Sequence, residues 1–220
     1  MKQLFITGEM RSGTTFLCNF LNSKNNLNCY SDLYTSVFME AHNMDIKSID
    51  QKLTNRQKNV LKSNLSQSFM LNGLDSKILK EIDYKTWWEF YVNTLIALSD
   101  SSNVEYYGSK RTRESLFITQ LLNKDVKIIY IYRDPRDVVI SSYNRFGFFD
   151  LNVFIDQWEN SIEFFSSIES HKNLHIIKFE NLILDSNNEL NRLSKFLDLS
   201  ILTDIRSLEL KSGKKNKFMN

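Results

Sequence analysis

The stretch Phe5 to Phe20, FITGEMRSGTTFLCNF, limits what this chain can fold into more than any other part of it. An apolar run breaks at Gly8, crosses a short polar loop to Gly13, and resumes at Thr14 as helix-forming sequence. A buried strand that turns this tightly into a helix points several backbone N–H groups at one spot. The helix dipole adds positive potential there, so the turn is suited to holding an anion. A plain tight turn would use the same glycines, and the loop alone leaves its ligand open.

The remaining chain repeats the strand-then-helix alternation. Gln3 to Thr7 reads as the first strand and Thr14 to Leu21 as the first helix. Lys47 to Leu71, Tyr84 to Leu98 and Arg113 to Leu122 have helical spacing, with a short strand at Tyr106 to Ser109. VKIIYIY, Val126 to Tyr132, is β-branched and aromatic without polar alternation, as in a strand buried on both faces. A helix then opens at Pro135, because proline suits a first helical turn. Phe154 to Ile168 and Asn188 to Leu197 read as helices, with a strand at Leu174 to Phe179 between them. This order predicts an α/β fold of three layers, α/β/α, around a mainly parallel central sheet.

Composition narrows the classes. With 220 residues, 42% hydrophobic and 25% charged, the chain is expected to form one globular domain over 1–220. A formal net charge of +2 argues against general nucleic-acid binding, so basic function must come from placed residues. Two cysteines, Cys18 and Cys29, make no disulfide framework and read as buried thiols. The first apolar run is too short for a signal peptide and no stretch reaches transmembrane length, which leads to the expectation of a cytoplasmic protein without membrane insertion.

The loop follows G-x-x-x-x-G-T-T from Gly8, but a triphosphate-binding loop of this spacing carries lysine where Thr14 stands. Here the cation comes three positions earlier, as Arg11, and two hydroxyls, Thr14 and Thr15, follow Gly13. A second anion site is legible in YIYRDPRDVVISSYNRF, Tyr130 to Phe146. Arg133 emerges at the C-terminal edge of a buried strand, where open α/β sheets bind ligands. Ser141 and Arg145, four apart on the following helix, share a face and with Arg133 could grip a phosphate by charge-assisted hydrogen bonds. Arg136 and Asp137 read instead as ion-paired residues of a solvated helix start.

Together these stretches resemble the sulfotransferases that use 3′-phosphoadenosine 5′-phosphosulfate (PAPS), more closely the tyrosylprotein and bacterial types than the histidine-dependent cytosolic ones. RSGTT resembles the family's 5′-phosphosulfate loop, YRDPRDVVISSY its 3′-phosphate motif, and FENLILD followed by LNRLSKFLDL its late strand and helix. The resemblance implies that Arg11, Ser12, Gly13, Thr14 and Thr15 bind the 5′-phosphosulfate, and Arg133 and Ser141 the 3′-phosphate. It implies a further cofactor contact from Arg145, and places Phe179 where tyrosine is common. The basic tail KSGKKNK, with Lys211, Gly213 and Lys214, is similar to the family's late loop over the 3′-phosphate but lacks its tryptophan. Over 211–220 it is expected to be flexible. PAPS is then co-substrate, 3′-phosphoadenosine 5′-phosphate (PAP) the product, and no metal is needed.

Sulfonate transfer wants a base at the acceptor and cations at the leaving oxygen. The histidine-dependent relatives take the base from a K-T-H segment; here the matching stretch GSKRTRES offers Lys110, with Thr112 near the histidine's place. His42, His171 and His175 match no such position. The resemblance points instead to Asp32, with Glu40 in reserve, and to Arg11 and Lys110 as the catalytic cations. Asp32 could equally be a turn or N-cap aspartate before a helix at Leu33 to Ala41. Residues 33–107 match no motif and are expected to be a mostly helical acceptor-binding insertion. Its aromatic residues, with FGFF at Phe146 to Phe149, suit a small-molecule, carbohydrate, lipid or peptide acceptor and name none of them. Two other readings stay open: a nucleotide-dependent kinase or NTPase, and a non-catalytic nucleotide-binding relative.

Overall fold

The computed structural model describes residues 1–23, 26–99, 104–114, 117–147 and 150–199. Its strands are β1 (Lys2–Gly8), β2 (Leu27–Ser31), β3 (Tyr106–Lys110), β4 (Lys127–Tyr132) and β5 (Leu174–Lys178). Helix α1 (Thr14–Asn22) follows β1, and α2 (Thr35–Asn43), α3 (Asn55–Leu71), α4 (Ile78–Glu81) and α5 (Trp87–Ser99) lie between β2 and β3. α6 (Ile118–Leu122) precedes β4, which leads into α7 (Pro135–Phe146) and α8 (Leu151–Ser167); α9 (Phe179–Leu184) and α10 (Ser186–Leu197) follow β5.

The sheet runs β2-β3-β1-β4-β5 with every pairing parallel, as expected of strand-helix alternation. Side-chain alternation on the central strands feeds two cores. Leu4 and Ile6 of β1, with Ile129 and Ile131 of β4, pack with α1 and α10. Phe5, Ile128 and Tyr130 point to the other face, where residues of α2, α3, α5, α6 and α8 cover them. The sheet is therefore a middle layer between helices, and its central strands read as unbroken apolar runs.

β1 sits at the point where the chain changes direction across the sheet. Its two neighbours, β3 and β4, end beside it, with Ile6 opposite Lys110 and Gly8 opposite Ile131. The loops after β1, β3 and β4 therefore leave one crevice at the C-terminal edge, the usual ligand position in such sheets. Edge strand β2 is blunted by a side chain. The Asn22 amide donates to the Cys29 carbonyl and accepts from the Cys29 N–H, both at 2.6 Å, so the outer backbone of β2 is paired locally.

Two expected helices are shorter than their periodicity suggested. The segment from Lys47 becomes helical only at Asn55, because Thr54 and Gln57 form a reciprocal capping box there. The segment from Arg113 becomes helical only at Ile118, and Arg113 itself adopts a left-handed φ of 58°. No helix among the described residues is long and apolar enough to cross a membrane.

Candidate functional site: an anion-binding crevice at the sheet edge

The loop after β1 is held by close packing. A side chain at Gly8 would begin 2.0 Å from the Ile131 carbonyl oxygen, so only glycine lets the loop leave β1 against β4. Gly13 has φ 100°, and a Cβ there would stand 2.4 Å from the Phe179 ring. Between them Ser12 is fully buried; its hydroxyl donates to the Glu9 carbonyl at 2.6 Å and its N–H to the same oxygen at 3.2 Å. Ser12 thus braces the turn from within. Gly13 gives α1 no side-chain cap, an arrangement that leaves first-turn N–H groups, those around Thr14 and Thr15, for an anion. Thr14 is buried and Thr15 half-buried at this helix start.

The second predicted anion motif lies beside the first. Arg11, exposed and at φ 67°, donates from Nε to Ser141 Oγ at 3.0 Å across 130 residues of sequence. Arg133 leaves β4 with its guanidinium over the Phe179 ring, 4.9 Å from the centroid. Phe179 thus touches both predicted anion sites, packing on Gly13 and under Arg133. The Arg133 Nε is buried and has no hydrogen-bond partner among the described residues, an unspent donor suited to an anion. Its terminal nitrogen does pair with Asp137 Oδ2 at 3.2 Å, so Asp137 is ion-paired as expected, with Arg133 as its partner. Arg136 pairs with Asp134 instead, as expected of a helix start. Arg145 is exposed in the last turn of α7.

At the other side of β1, Lys110 ends β3 and is buried, while Asp32 follows β2 at φ 58° and is more than half exposed. Lys110 Nζ donates to both carboxylate oxygens, at 2.8 and 2.7 Å, and the Asp32 N–H donates to the Lys110 carbonyl at 3.0 Å. Asp32 caps no helix: α2 begins at Thr35 with Tyr34 at its N-cap position. Glu40 is half-buried on α2. Lys211, Gly213 and Lys214, like Phe148 and Phe149, lie outside the described residues. His175 pairs with Glu189, and the His171 ring accepts from the Asn173 N–H, so neither histidine belongs to the crevice. Most aromatics of 33–107 are core: Tyr34, Phe38, Phe69, Trp87, Phe90 and Tyr91 are all buried.

Two charged pairs at this edge are absent from the sequence reading. Glu9, inside the loop, is buried and accepts from Arg113 Nε at 2.9 Å. Burial pushes its carboxyl above the ordinary value, with Arg113 opposing. Arg111 pairs with the buried Glu114 and lies 5.2 Å over the Phe38 ring. Burial lowers its pKa and Glu114 opposes that shift. The helical spacing of Arg113 to Leu122 hid both pairs; the signal was the density of charge in KRTRE directly after a buried strand.

The family model described as the sulfotransferase domain matches residues 1–220. No curated protein matches the chain in sequence. Among solved structures, the mouse sulfotransferase SULT7A1 complexed with PAP is similar over 98% of this chain and 66% of its own, at 14% identity and TM-score 0.55. The sulfotransferase domain from the curacin biosynthetic pathway is similar over 93% of this chain and 77% of its own, at 18% identity and TM-score 0.56. Sulfotransferase STF9 from Mycobacterium avium is similar over 98% and 69%, at 11% identity and TM-score 0.51. At such identities the likeness is one of fold, and the chain spans about two thirds of the mouse protein's length.

Proposed function

Because the chain belongs to the sulfotransferase domain family, we propose that it transfers a sulfonate group from PAPS to a hydroxyl or amine of an acceptor. The observation that carries this reading is the 3.0 Å contact between Arg11 and Ser141, which joins a loop built for one anion to a motif built for another. A donor with a 5′-phosphosulfate and a 3′-phosphate needs two such sites side by side. A nucleoside triphosphate would need the lysine that Thr14 replaces. A structural relative carries PAP, the donor's product, which is consistent with the same ligand here.

In this reading the N–H groups around Gly13 to Thr15 hold the 5′ group, with Arg11 at the reacting end. Arg133, Ser141 and Arg145 take the 3′-phosphate, and the Phe179 ring supports both sites. The acceptor oxygen attacks sulfur as the bond from sulfur to the bridging phosphate oxygen breaks. Asp32 takes the acceptor's proton. Arg11 and Lys110 stabilise the charge that develops on the leaving oxygen. Lys110 has three N–H donors and spends two on Asp32, so it can orient the base and still present one donor to the reaction.

The whole of 1–220 acts as one domain in this account, with Gly213 and Lys214 of the tail as donor-binding residues and 33–107 supplying acceptor contacts. Since its large aromatics pack inward, the acceptor is bound by the rim of this segment rather than by an aromatic cage. The test is transfer of radiolabelled sulfonate from PAPS across phenol, sterol, sugar and peptide acceptors. Product with any one class supports the reading. Failure with all of them, by protein shown to bind PAP, would leave a nucleotide-binding relative without catalysis.

A further inference from the structure

The Glu9–Arg113 pair is expensive to build and serves no core. A buried carboxylate is costly unless its charge is met, and a loop needing only backbone N–H groups could place an apolar residue there. Arg113 also holds a left-handed backbone at φ 58°, an unfavourable conformation for a non-glycine residue. In that conformation its N–H donates to the Gly8 carbonyl at 3.0 Å while its Nε reaches Glu9 at 2.9 Å. Two residues earlier, the Arg111 N–H donates to the Ile6 carbonyl at 3.0 Å. The Glu9 carbonyl in turn receives both the N–H and the hydroxyl of Ser12, which lies between Arg11 and Gly13.

We propose that Glu9 and Arg113 are positioning residues: a strut that fixes the loop carrying Arg11 relative to the loop carrying Lys110. The inference rests on the donor-site reading given above, and neither residue is asked to touch the donor. The strut spans the crevice floor, running from Arg113 through the Glu9 carboxylate and backbone to Ser12. It sets the spacing between two cations, Arg11 on the loop after β1 and Lys110 at the end of β3, that must face the same leaving oxygen. Burial of the Glu9 carboxyl gives the ion pair a low-dielectric setting, where a directed bond holds geometry better than it would in water.

The test uses the full chain carrying Arg113→Met, Glu9→Gln, both together, or Arg113→Lys. PAP binding is measured by titration calorimetry, and loop order without ligand by the rate of tryptic cleavage after Arg11. Each of the first two variants is expected to weaken PAP binding by roughly tenfold and to speed cleavage after Arg11, while the double variant is no worse than the poorer single one. Arg113→Lys, which keeps a charged donor, is expected to recover part of both. Should Arg113→Met fail to fold, Glu9→Gln and Arg113→Lys carry the comparison. Folded variants with PAP affinity within about twofold of wild type and unchanged cleavage after Arg11 would overturn the strut. Wild-type protein that ignores PAP would sink the donor-site reading instead, and the cleavage rates would still judge whether the pair orders the loop.

Discussion

At Gly13 the backbone takes φ 100° and the Phe179 ring fills the space where a side chain would start. Gly13→Ala should therefore meet both strain and overpacking, and cost about 1–3 kcal/mol by denaturant titration. Phe179→Ala in the same chain should return part of that loss, since it removes the ring that the new methyl strikes. Arg133 makes a sharper prediction. Losing a charge-assisted contact to phosphate costs about 1.5–3 kcal/mol, so Arg133→Ala should weaken PAP binding by roughly 10- to 150-fold. Binding of adenosine 5′-phosphosulfate, which lacks the 3′-phosphate, should hardly change. Asp32→Asn should cut turnover by about 10²–10⁴ while sparing PAP affinity, and near-wild-type turnover would remove Asp32 from the role of base. Asp134 gives a pH signature: hydrogen bonds from the Arg136 side chain and N–H hold its carboxyl at about 2, below the ordinary 3.8. A depressed carboxyl adds stability above its unfolded value and loses it as pH falls through the folded one. The thermal midpoint should thus drop between pH 3.8 and about 2, and less steeply in Asp134→Asn.

Among the elements, α3 offers the cleanest local test. The Thr54 hydroxyl accepts from the Gln57 N–H, and the Gln57 side chain accepts from the Thr54 N–H. Thr54→Ala should cost about 1 kcal/mol of unfolding free energy without touching donor binding. Much at this scale was legible beforehand. VKIIYIY had the pattern of a strand buried on both faces, and Pro135 marked the start of α7 because its ring suits a first turn. β2 was not legible, since LNCYS has neither alternation nor a long apolar run, and its pairing depends on Asn22 and β3. Arg113 misled because its place depends on Gly8 and Glu9, distant contacts to which helical periodicity is blind. The anion residues were readable as two motifs, and their order along alternating strands put them at one sheet edge. What could not be read was the contact between Arg11 and Ser141, or the Phe179 ring linking Gly13 to Arg133.

For the molecule as a whole, a β1 flanked by β3 and β4 gathers three loops into one crevice, and those loops bring Arg11, Lys110 and Arg133 to one sheet edge. The exposed Arg11, the unpartnered Arg133 Nε and the uncapped start of α1, with glycines admitting close approach, are what a doubly anionic nucleotide would find. The most direct measure of this account is the thermal midpoint with PAP and, separately, with ATP and magnesium. At a concentration about a hundred times its Kd, PAP should raise the midpoint of a 220-residue protein by roughly 5–10 °C. ATP with magnesium should leave it nearly unchanged, and Arg133→Ala should lose most of the PAP shift. An equal or larger shift with ATP and magnesium, or none with PAP, would contradict the account.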